Sequence, residues 1–258
     1  MIEFSENEIV TVSKTLNQRD SLFLKRIYSE GMEKYINRLK AIGFSDKEAI
    51  ALDAGCGFGQ WALAMNVLID HVIGIDLSKA RIDVAKKISK DLQNVEFVQG
   101  SISQLPFSDN YFDFVFSFSV IYYTDVELTI QELTRVLKPG GKIYICSNGI
   151  GWYCYNILKN PNSSPDFNPR KYGLRTLFDS LLYHAFGCAP SVHGSVTTSS
   201  TYLSKLLRKN GVDIIASGTE GSINLHPQKI EIKNFFPGRY LGLECCSEWL
   251  GYKKNFDV

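Results

Sequence analysis

Three glycines at alternate positions, Gly55, Gly57 and Gly59, follow a short apolar run (Ala49, Ile50, Ala51, Leu52) that ends at Asp53. Glycines so placed let the backbone turn tightly and approach a ligand with no Cβ in the way. Beyond them Trp61, Leu63, Ala64, Val67 and Leu68 recur at near-helical spacing, which puts the exposed N–H groups of a helix start against the ligand. A second chemical group is the carboxylate of Asp76, which closes the apolar run H-V-I-G-I-D and lies 21 residues after Gly55. An acid at that offset can accept hydrogen bonds from both ribose hydroxyls of a nucleotide. Ser78 is placed to cap the helix that starts at Lys79, which would leave Asp76 to the ligand.

These residues need a strand, a turn and a helix to hold them, and the chain alternates in that way. Apolar residues every three or four positions predict a helix over 21–42, ended by Gly43, after a polar and irregular stretch 1–20. Strands are predicted at 49–53, 71–76, 95–99, 114–120 and 141–145, with helices at 79–90 and 127–137 between them. A capped helix over 199–210 and a strand at 212–216 follow, and 242–252 supplies the last strand. Strands alternating with helices make an α/β fold with a mostly parallel sheet. The connection 149–198, rich in proline, tyrosine and tryptophan, is too long for a plain loop and reads as an insertion with a helix near 174–186. It leaves from the carboxyl ends of the strands, where ligands bind, so it is the natural lid.

The detail of the glycine turn separates two cofactors. A dinucleotide fingerprint G-x-G-x-x-G needs glycine at position 60, where this chain has Gln60. The form present is G-x-G-x-G preceded by an acid. In that form Ala51–Trp61 (A-L-D-A-G-C-G-F-G-Q-W) resembles the first motif of the class I S-adenosylmethionine (SAM)-dependent methyltransferases. Leu105–Asp113 (L-P-F-S-D-N-Y-F-D) resembles more narrowly the type 11 branch, which includes the ubiquinone and menaquinone C-methyltransferases. L-K-P-G-G-K-I-Y-I at 137–145 completes the likeness, which runs in order and spacing over residues 49–148.

The resemblance implies a Rossmann-like, doubly wound seven-stranded sheet of order 3-2-1-4-5-7-6, strand 7 antiparallel, with the cap inserted after strand 5. It implies an N-terminal helical segment over the cofactor edge (1–48), a SAM-binding core (49–148), a substrate cap (149–198) and the C-terminal part of the core sheet (199–258). SAM is the implied cofactor, S-adenosylhomocysteine its product, and no metal is expected. The implied cofactor contacts are Asp53, Gly55, Cys56, Gly57, Gly59, Trp61, Asp76, Leu77, Arg81, Ser101, Ile102, Ser117 and Phe118. Relatives often carry an acid at the position of Ser101 to hold the adenine amino group. Ser101 offers only a neutral contact, and the Ile102 backbone can serve that edge instead. Tyr28 or Tyr35 on the leading helix either touches SAM or packs on the sheet.

Methyl transfer from a sulfonium is an in-line displacement, so the protein must align the partners and exclude water. A hydroxyl acceptor with a pKa far above neutral also needs a base. Where many relatives place a histidine pair, this chain has Tyr122-Tyr123, and Tyr122 is read as orienting the acceptor or closing the methyl path. The candidate bases are His193 and His184 in the cap, then His226, each weighed against an ordinary structural histidine. The N/D-P-P-Y/F signature of nucleic-acid amino-methylating enzymes is replaced by S-F-S-V at 117–120, and the acidic hairpin of protein arginine methyltransferases is missing. The expected acceptor is a small polar molecule, foremost a sugar or sugar-nucleotide hydroxyl. C- or N-methylation of a quinol-like or amine metabolite is the alternative, and a SAM-binding protein without catalysis a third reading. Gln60 and the later motifs disfavour a nicotinamide oxidoreductase.

Composition bounds the rest. At 258 residues, 45% hydrophobic and 21% charged, the chain can bury one generous α/β core. A net charge of +1 with scattered Lys and Arg offers no global attraction to nucleic acid. The six cysteines show no C-x-x-C spacing and read as reduced thiols of a cytoplasmic protein. No signal-like leader and no run long enough to span a bilayer is expected, and the oligomeric state is open.

Overall fold

The computed structural model describes residues 6–29, 31–161, 163–187 and 194–255. Three helices come first: α1 (Glu6–Ser13), α2 (Gln18–Ser29) and α3 (Glu33–Ala41). The single helix predicted over 21–42 is therefore two, and the leader expected to be irregular holds α1. The break falls at Gly31, whose φ of +74° ends a right-handed helix.

The alternating core follows as β1 (Ile50–Ala54), α4 (Gln60–Asn66), β2 (His71–Asp76), α5 (Lys79–Ile88), β3 (Val95–Gln99), β4 (Phe112–Phe118), α6 (Val126–Val136) and β5 (Leu137–Asn148). The L-P-F-S-D loop before β4 is held by α6. Arg135 donates to the carbonyls of Leu105 and Phe107 and to Asp109, while Glu132 accepts the Leu105 N–H at 2.7 Å. Phe107 meets Phe112 edge-on at 5.0 Å, so the two phenylalanines do pin the loop. In L-K-P-G-G, Leu137 already pairs with Phe112. Gly140 at φ +75° then carries a short excursion before pairing resumes at Phe114–Lys142.

After β5 the chain forms α7 (Ile150–Lys159), α8 (Pro169–Phe186) and α9 (Ser200–Lys209). α7 was not predicted, because its tyrosines and tryptophan carry no clean helical stripe. α8 reaches further back than 174, capped by Asn168 with Pro169 in its first turn. α7 and α8 cross closely at Gly173, where a Cβ would stand 2.9 Å from the Tyr153 carbonyl oxygen. The chain ends through β6 (Val212–Thr219), a short hairpin of β7 (Arg239–Tyr240) and β8 (Leu243–Glu244), and β9 (Cys246–Lys253). The hairpin occupies the first residues of the strand predicted over 242–252.

The described strands make one seven-stranded sheet in the order β3-β2-β1-β4-β5-β9-β6, beside the separate β7–β8 pair. β9 runs antiparallel to β5 and β6, and the other pairs are parallel. This is the predicted order, with β9 in the seventh place. Alternate side chains feed two cores. Ala51, Phe116 and Tyr144 pack with α2 to α5, while Leu52, Val115 and Ile145 pack with α6 and α9.

One buried ionic network ties the two ends of the chain together. Arg38 on α3 donates from Nη2 to Glu220 Oε1 at 2.5 Å and from Nη1 to Glu248 Oε2 at 3.1 Å, with all three side chains fully buried. Tyr144 on β5 donates to the same Glu248 oxygen at 2.6 Å. The other carboxylate oxygens accept backbone N–H groups of Ile223, Phe235 and Phe236, which binds the 220–236 connection to the sheet.

Candidate functional site

The sheet reverses direction of growth between β1 and β4, and the carboxyl ends of strands at such a switch point are where open α/β sheets form their ligand crevice. The glycine turn lies there. Its shape is fixed by bonds from β2: the N–H groups of Gly55 and Cys56 both donate to the Ile75 carbonyl, at 2.8 and 2.9 Å. Gly55 sits at φ +82°, and a Cβ on it would strike the Val120 methyls at 2.6 Å. That glycine thus brings the turn against the residues that follow β4.

Asp76 is tied into the turn. Its Oδ2 accepts the Gly57 N–H at 3.0 Å and its Oδ1 the Ser78 N–H at 2.9 Å, while Ser78 Oγ caps α5 through the Arg81 N–H. The expectation that the Ser78 cap leaves Asp76 without structural work is corrected to this extent. A carboxylate oxygen has two lone pairs, so each still has one for a ligand hydroxyl. Asp53 ends up beneath the turn, 1% exposed, with Oδ2 accepting the Ala62 N–H at 3.0 Å. It caps α4 from the strand before it. Burial pushes its carboxyl up to about 8, with the nearby Asp76 charge adding to the effect and the Ala62 N–H opposing it.

The remaining predicted cofactor residues are spread around this crevice. Leu77 is 72% exposed at the end of β2, and Ile102 is buried beside Ser101, whose Oγ accepts the Ser103 N–H. Cys56 is buried in the turn, and Ser117 donates to the Ala54 carbonyl, stitching β4 to β1. Arg81 turns to Asp20 of α2 at 2.9 Å and passes over the Phe58 ring. Tyr28 of α2 donates to the Phe58 carbonyl at 3.0 Å, so α2 closes over the turn. Tyr35 packs edge-on to Trp61 at 4.8 Å in the core.

An aromatic series leads outward from the turn. Trp61 contacts Phe118 at 4.8 Å, Phe118 stacks on Phe236, Phe236 meets Trp152 at 5.1 Å, and Trp152 stacks on Tyr155. Beside α7 and α8 stands a cluster of tyrosines. Tyr172 donates to Tyr123 at 3.2 Å and accepts from Ser195, which in turn accepts from Thr176 Oγ1 at 2.6 Å. Tyr122 and Tyr153 lie beside them, and burial holds both phenols well above their usual range. Both lie within electrostatic reach of Cys246.

Three polar atoms at this edge were not legible in the sequence. Gln60 Oε1, Ser119 Oγ and Asn148 Oδ1 are buried with no hydrogen-bond partner among the described residues. They lie at the start of α4 and just beyond or at the ends of β4 and β5. Buried polar atoms are nearly always paired, so orphans gathered at one sheet edge mark where a ligand completes them.

Known proteins resemble this arrangement. Residues 52–145 match the family described as "Methyltransferase domain". Demethylmenaquinone methyltransferase of Staphylococcus saprophyticus is 41% identical over 97 residues, which cover 36% of this chain and 42% of that protein. The Staphylococcus aureus protein of the same name is 38% identical over 97 residues, covering 36% and 40%. The match thus spans less than half the length of these relatives. Among solved structures, YcgJ of Bacillus subtilis aligns with a TM-score of 0.58 at 18% identity, covering 86% of this chain and 99% of that one. Geranyl diphosphate C-methyltransferase of Streptomyces coelicolor aligns with a TM-score of 0.57 at 16% identity, covering 91% and 80%. Over residues 52–145 the chain is thus similar to a methyltransferase domain, set in a fold shared with solved methyltransferases.

Around this region, the predicted histidines take different places. His193 lies outside the described residues. His184, near the end of α8, donates from Nε2 to the Thr197 carbonyl at 3.0 Å and meets the Tyr202 ring edge-on. His226 is half-buried and accepts the Gln228 N–H, next to Leu225, whose N–H goes to the last turn of α3. Among the described residues, no group of three His, Cys, Asp or Glu is arranged to hold a metal. None of the described helices is long and apolar enough to cross a membrane.

Proposed function

We propose that this chain transfers the methyl group of SAM to a small acceptor bearing an aromatic hydroxyl, a phenol or quinol. The observation that carries the reading is the crevice edge itself: the glycine turn and Asp76 stand on one side, and an aromatic wall of Phe118, Trp152 and Phe236 with the lid tyrosines on the other. The residues fit SAM. The turn is open at Gly57, where the place of a Cβ meets only Gln60 Oε1 at 3.9 Å, Asp76 keeps lone pairs for the ribose, and exposed Leu77 with Ile102 offers apolar surface to adenine. Gln60 Oε1, buried and unpartnered, is the acceptor suited to the methionyl ammonium.

SAM, when bound, supplies an electrophilic methyl. The chain's own part is to orient and to exclude water. Tyr122 and Tyr153 keep their protons, since burial holds both phenols up, so they donate to an acceptor oxygen and do not act as bases. A phenol, with a pKa near 10, needs far less help to ionise than a sugar hydroxyl. That difference favours the aromatic acceptor over the sugar, and it agrees with the name of the staphylococcal relatives. The test is S-adenosylhomocysteine release with 1,4-dihydroxynaphthalene, sugar nucleotides and primary amines. Turnover should be greatest with the naphthalenediol. Activity confined to sugar nucleotides or amines would overturn the acceptor class, and binding of SAM without turnover on any of them would overturn catalysis.

Asp53 makes a pH dependence part of this reading. Its carboxyl, at about 8, is mostly protonated at neutral pH. A raised carboxyl pKa means that the apoprotein loses stability as pH climbs from the usual aspartate range toward 8, because charge is being forced into a buried site. A cationic ligand at the turn lowers that pKa, so binding expels the proton. SAM should therefore bind more tightly as pH rises toward about 8, by up to roughly tenfold per unit. Calorimetry at pH 7 in phosphate and in Tris should show net proton release, and Asp53→Asn should abolish it. An observed heat independent of buffer would contradict this.

A further inference from the structure

We propose that Asn148 selects the acceptor: its side-chain carbonyl accepts a hydrogen bond from an acceptor hydroxyl, and the Ser119 hydroxyl completes the anchor. This rests on the methyl-transfer reading and names what recognises the second substrate.

Asn148 is 2% exposed, and its Oδ1 has no partner among the described residues. Its backbone is held from several sides. It is the last residue of β5, it pairs with Cys246 of β9, and its carbonyl lies 3.5 Å from Thr198 Oγ1. The next residue, Gly149, donates to the Cys245 carbonyl at 2.9 Å and opens α7. A Cβ on Gly149 would lie 2.5 Å from the Glu244 carbonyl oxygen, so the chain is pressed against the β7–β8 hairpin at this point. A rigid backbone with an unsatisfied amide is a poor arrangement for packing and a good one for binding, where preorganisation matters.

Ser119 repeats the pattern on the neighbouring strand. It follows Phe118, which pairs with Cys146, and its own N–H donates to the Cys146 carbonyl at 2.8 Å. Its φ is +57°, a left-handed conformation that a serine adopts at a cost, and its Oγ is buried and unpartnered. Val120, the next residue, is the one pressed against Gly55. Glycine turn, Ser119 and Asn148 thus follow one another across the ends of β1, β4 and β5. Tyr122 follows Ser119 by three residues in the turn Ile121–Tyr123, and Tyr153 stands in the first turn of α7 just beyond Asn148.

The chemistry of the pair sets the ligand class. An amide oxygen accepts and never donates, so it rewards a hydroxyl and gives nothing to an ether or a ketone. Asn148 Oδ1 therefore favours a phenol or the reduced, quinol form of a ring over the quinone and the methyl ether, while Ser119 Oγ, able to donate or accept, serves either form. Sites built to pair a ligand hydroxyl reject analogues lacking it, because their own buried group is left unpaired.

The test uses the full chain saturated with S-adenosylhomocysteine and titrated anaerobically with 1,4-dihydroxynaphthalene or 1,4-dimethoxynaphthalene. The wild type should prefer the diol by about tenfold or more. Asn148→Ala should remove most of that preference while leaving S-adenosylhomocysteine affinity within about twofold, the margin expected when only the acceptor contact is lost. Should Asn148→Ala fail to fold, Asn148→Leu, of similar size and without the acceptor oxygen, is read by the same diol-to-ether ratio. Equal affinity for the two naphthalenes, an unchanged ratio in the variant, or no binding of the diol overturns the anchor while leaving the cofactor site standing. A wild type that does not bind S-adenosylhomocysteine overturns the methyl-transfer reading and the anchor with it.

Discussion

Replacing Arg38 with methionine is expected to cost the fold about 3–5 kcal/mol, the range for breaking a buried ion pair from one side. For a domain of this size that is a fall of roughly 6–20 °C in Tm. The reason lies less in the lost attraction than in what remains. Glu220 and Glu248 are buried, and without the guanidinium two carboxylates stay in a low-dielectric site. Burial already holds the Glu220 carboxyl above its usual range even with Arg38 in place. Losing the cation raises it further, so the penalty should grow as pH rises through the carboxylate range and shrink on acidification below it. Circular-dichroism melts at pH 4.5 and 7.5, values chosen as about the glutamate reference and well above it, check both points. The triple variant R38M/E220L/E248L separates the causes. It should recover much of the loss, because apolar replacement of a whole buried network is often neutral. A triple variant no better than R38M would mean that the backbone bonds to Ile223, Phe235 and Phe236 matter more than the charges.

Asp76→Ala should weaken SAM binding by at least about 100-fold, the loss of two charge-assisted hydrogen bonds. Part of the effect comes from the apoprotein, since the carboxylate also holds the Gly57 and Ser78 N–H groups and so the shape of the turn. Asp76→Asn distinguishes the two parts. It keeps one acceptor oxygen for the turn and puts an amide donor where the second oxygen stood. Affinity should then fall by roughly tenfold or more for one lost bond, and the melting temperature should fall less than in Asp76→Ala, because one of the two turn bonds survives. Near-unchanged SAM affinity in Asp76→Ala, measured by calorimetry, would mean that the acid at the end of β2 does not take the ribose.

Much of the core was legible because its signals are local. The order of strands and helices over 49–148 follows from apolar runs, glycines and caps that act within a few residues. The L-P-F-S-D loop is a similar case, although the residues that hold it, Glu132 and Arg135, are visible only once α6 has folded beside it. The lid was harder. α7 is made of residues that suit several structures, and it is helical because Gly149 and Gly151 press it onto the β7–β8 hairpin and Gly173 lets α8 cross it. Tertiary packing, not propensity, decides such segments.

The sequence by itself determined the sheet, the glycine turn and the acid at the end of β2, because short-range sterics and hydrophobic period govern all three. Even Gln60 was read correctly as a departure from a dinucleotide motif, but its buried and unpartnered amide oxygen appears only in the folded chain. The same holds for Ser119 and Asn148, two unremarkable polar residues in sequence. A polar side chain acquires meaning when its surroundings leave it no partner, and those surroundings come from β4, β5, β9 and the lid. Tertiary structure alone decided that Arg38 is a buried cation, that His184 is turned to Thr197, and that Asp53 titrates near neutral pH. Burial and pairing are properties of neighbours far apart in the chain, and no local pattern encodes them.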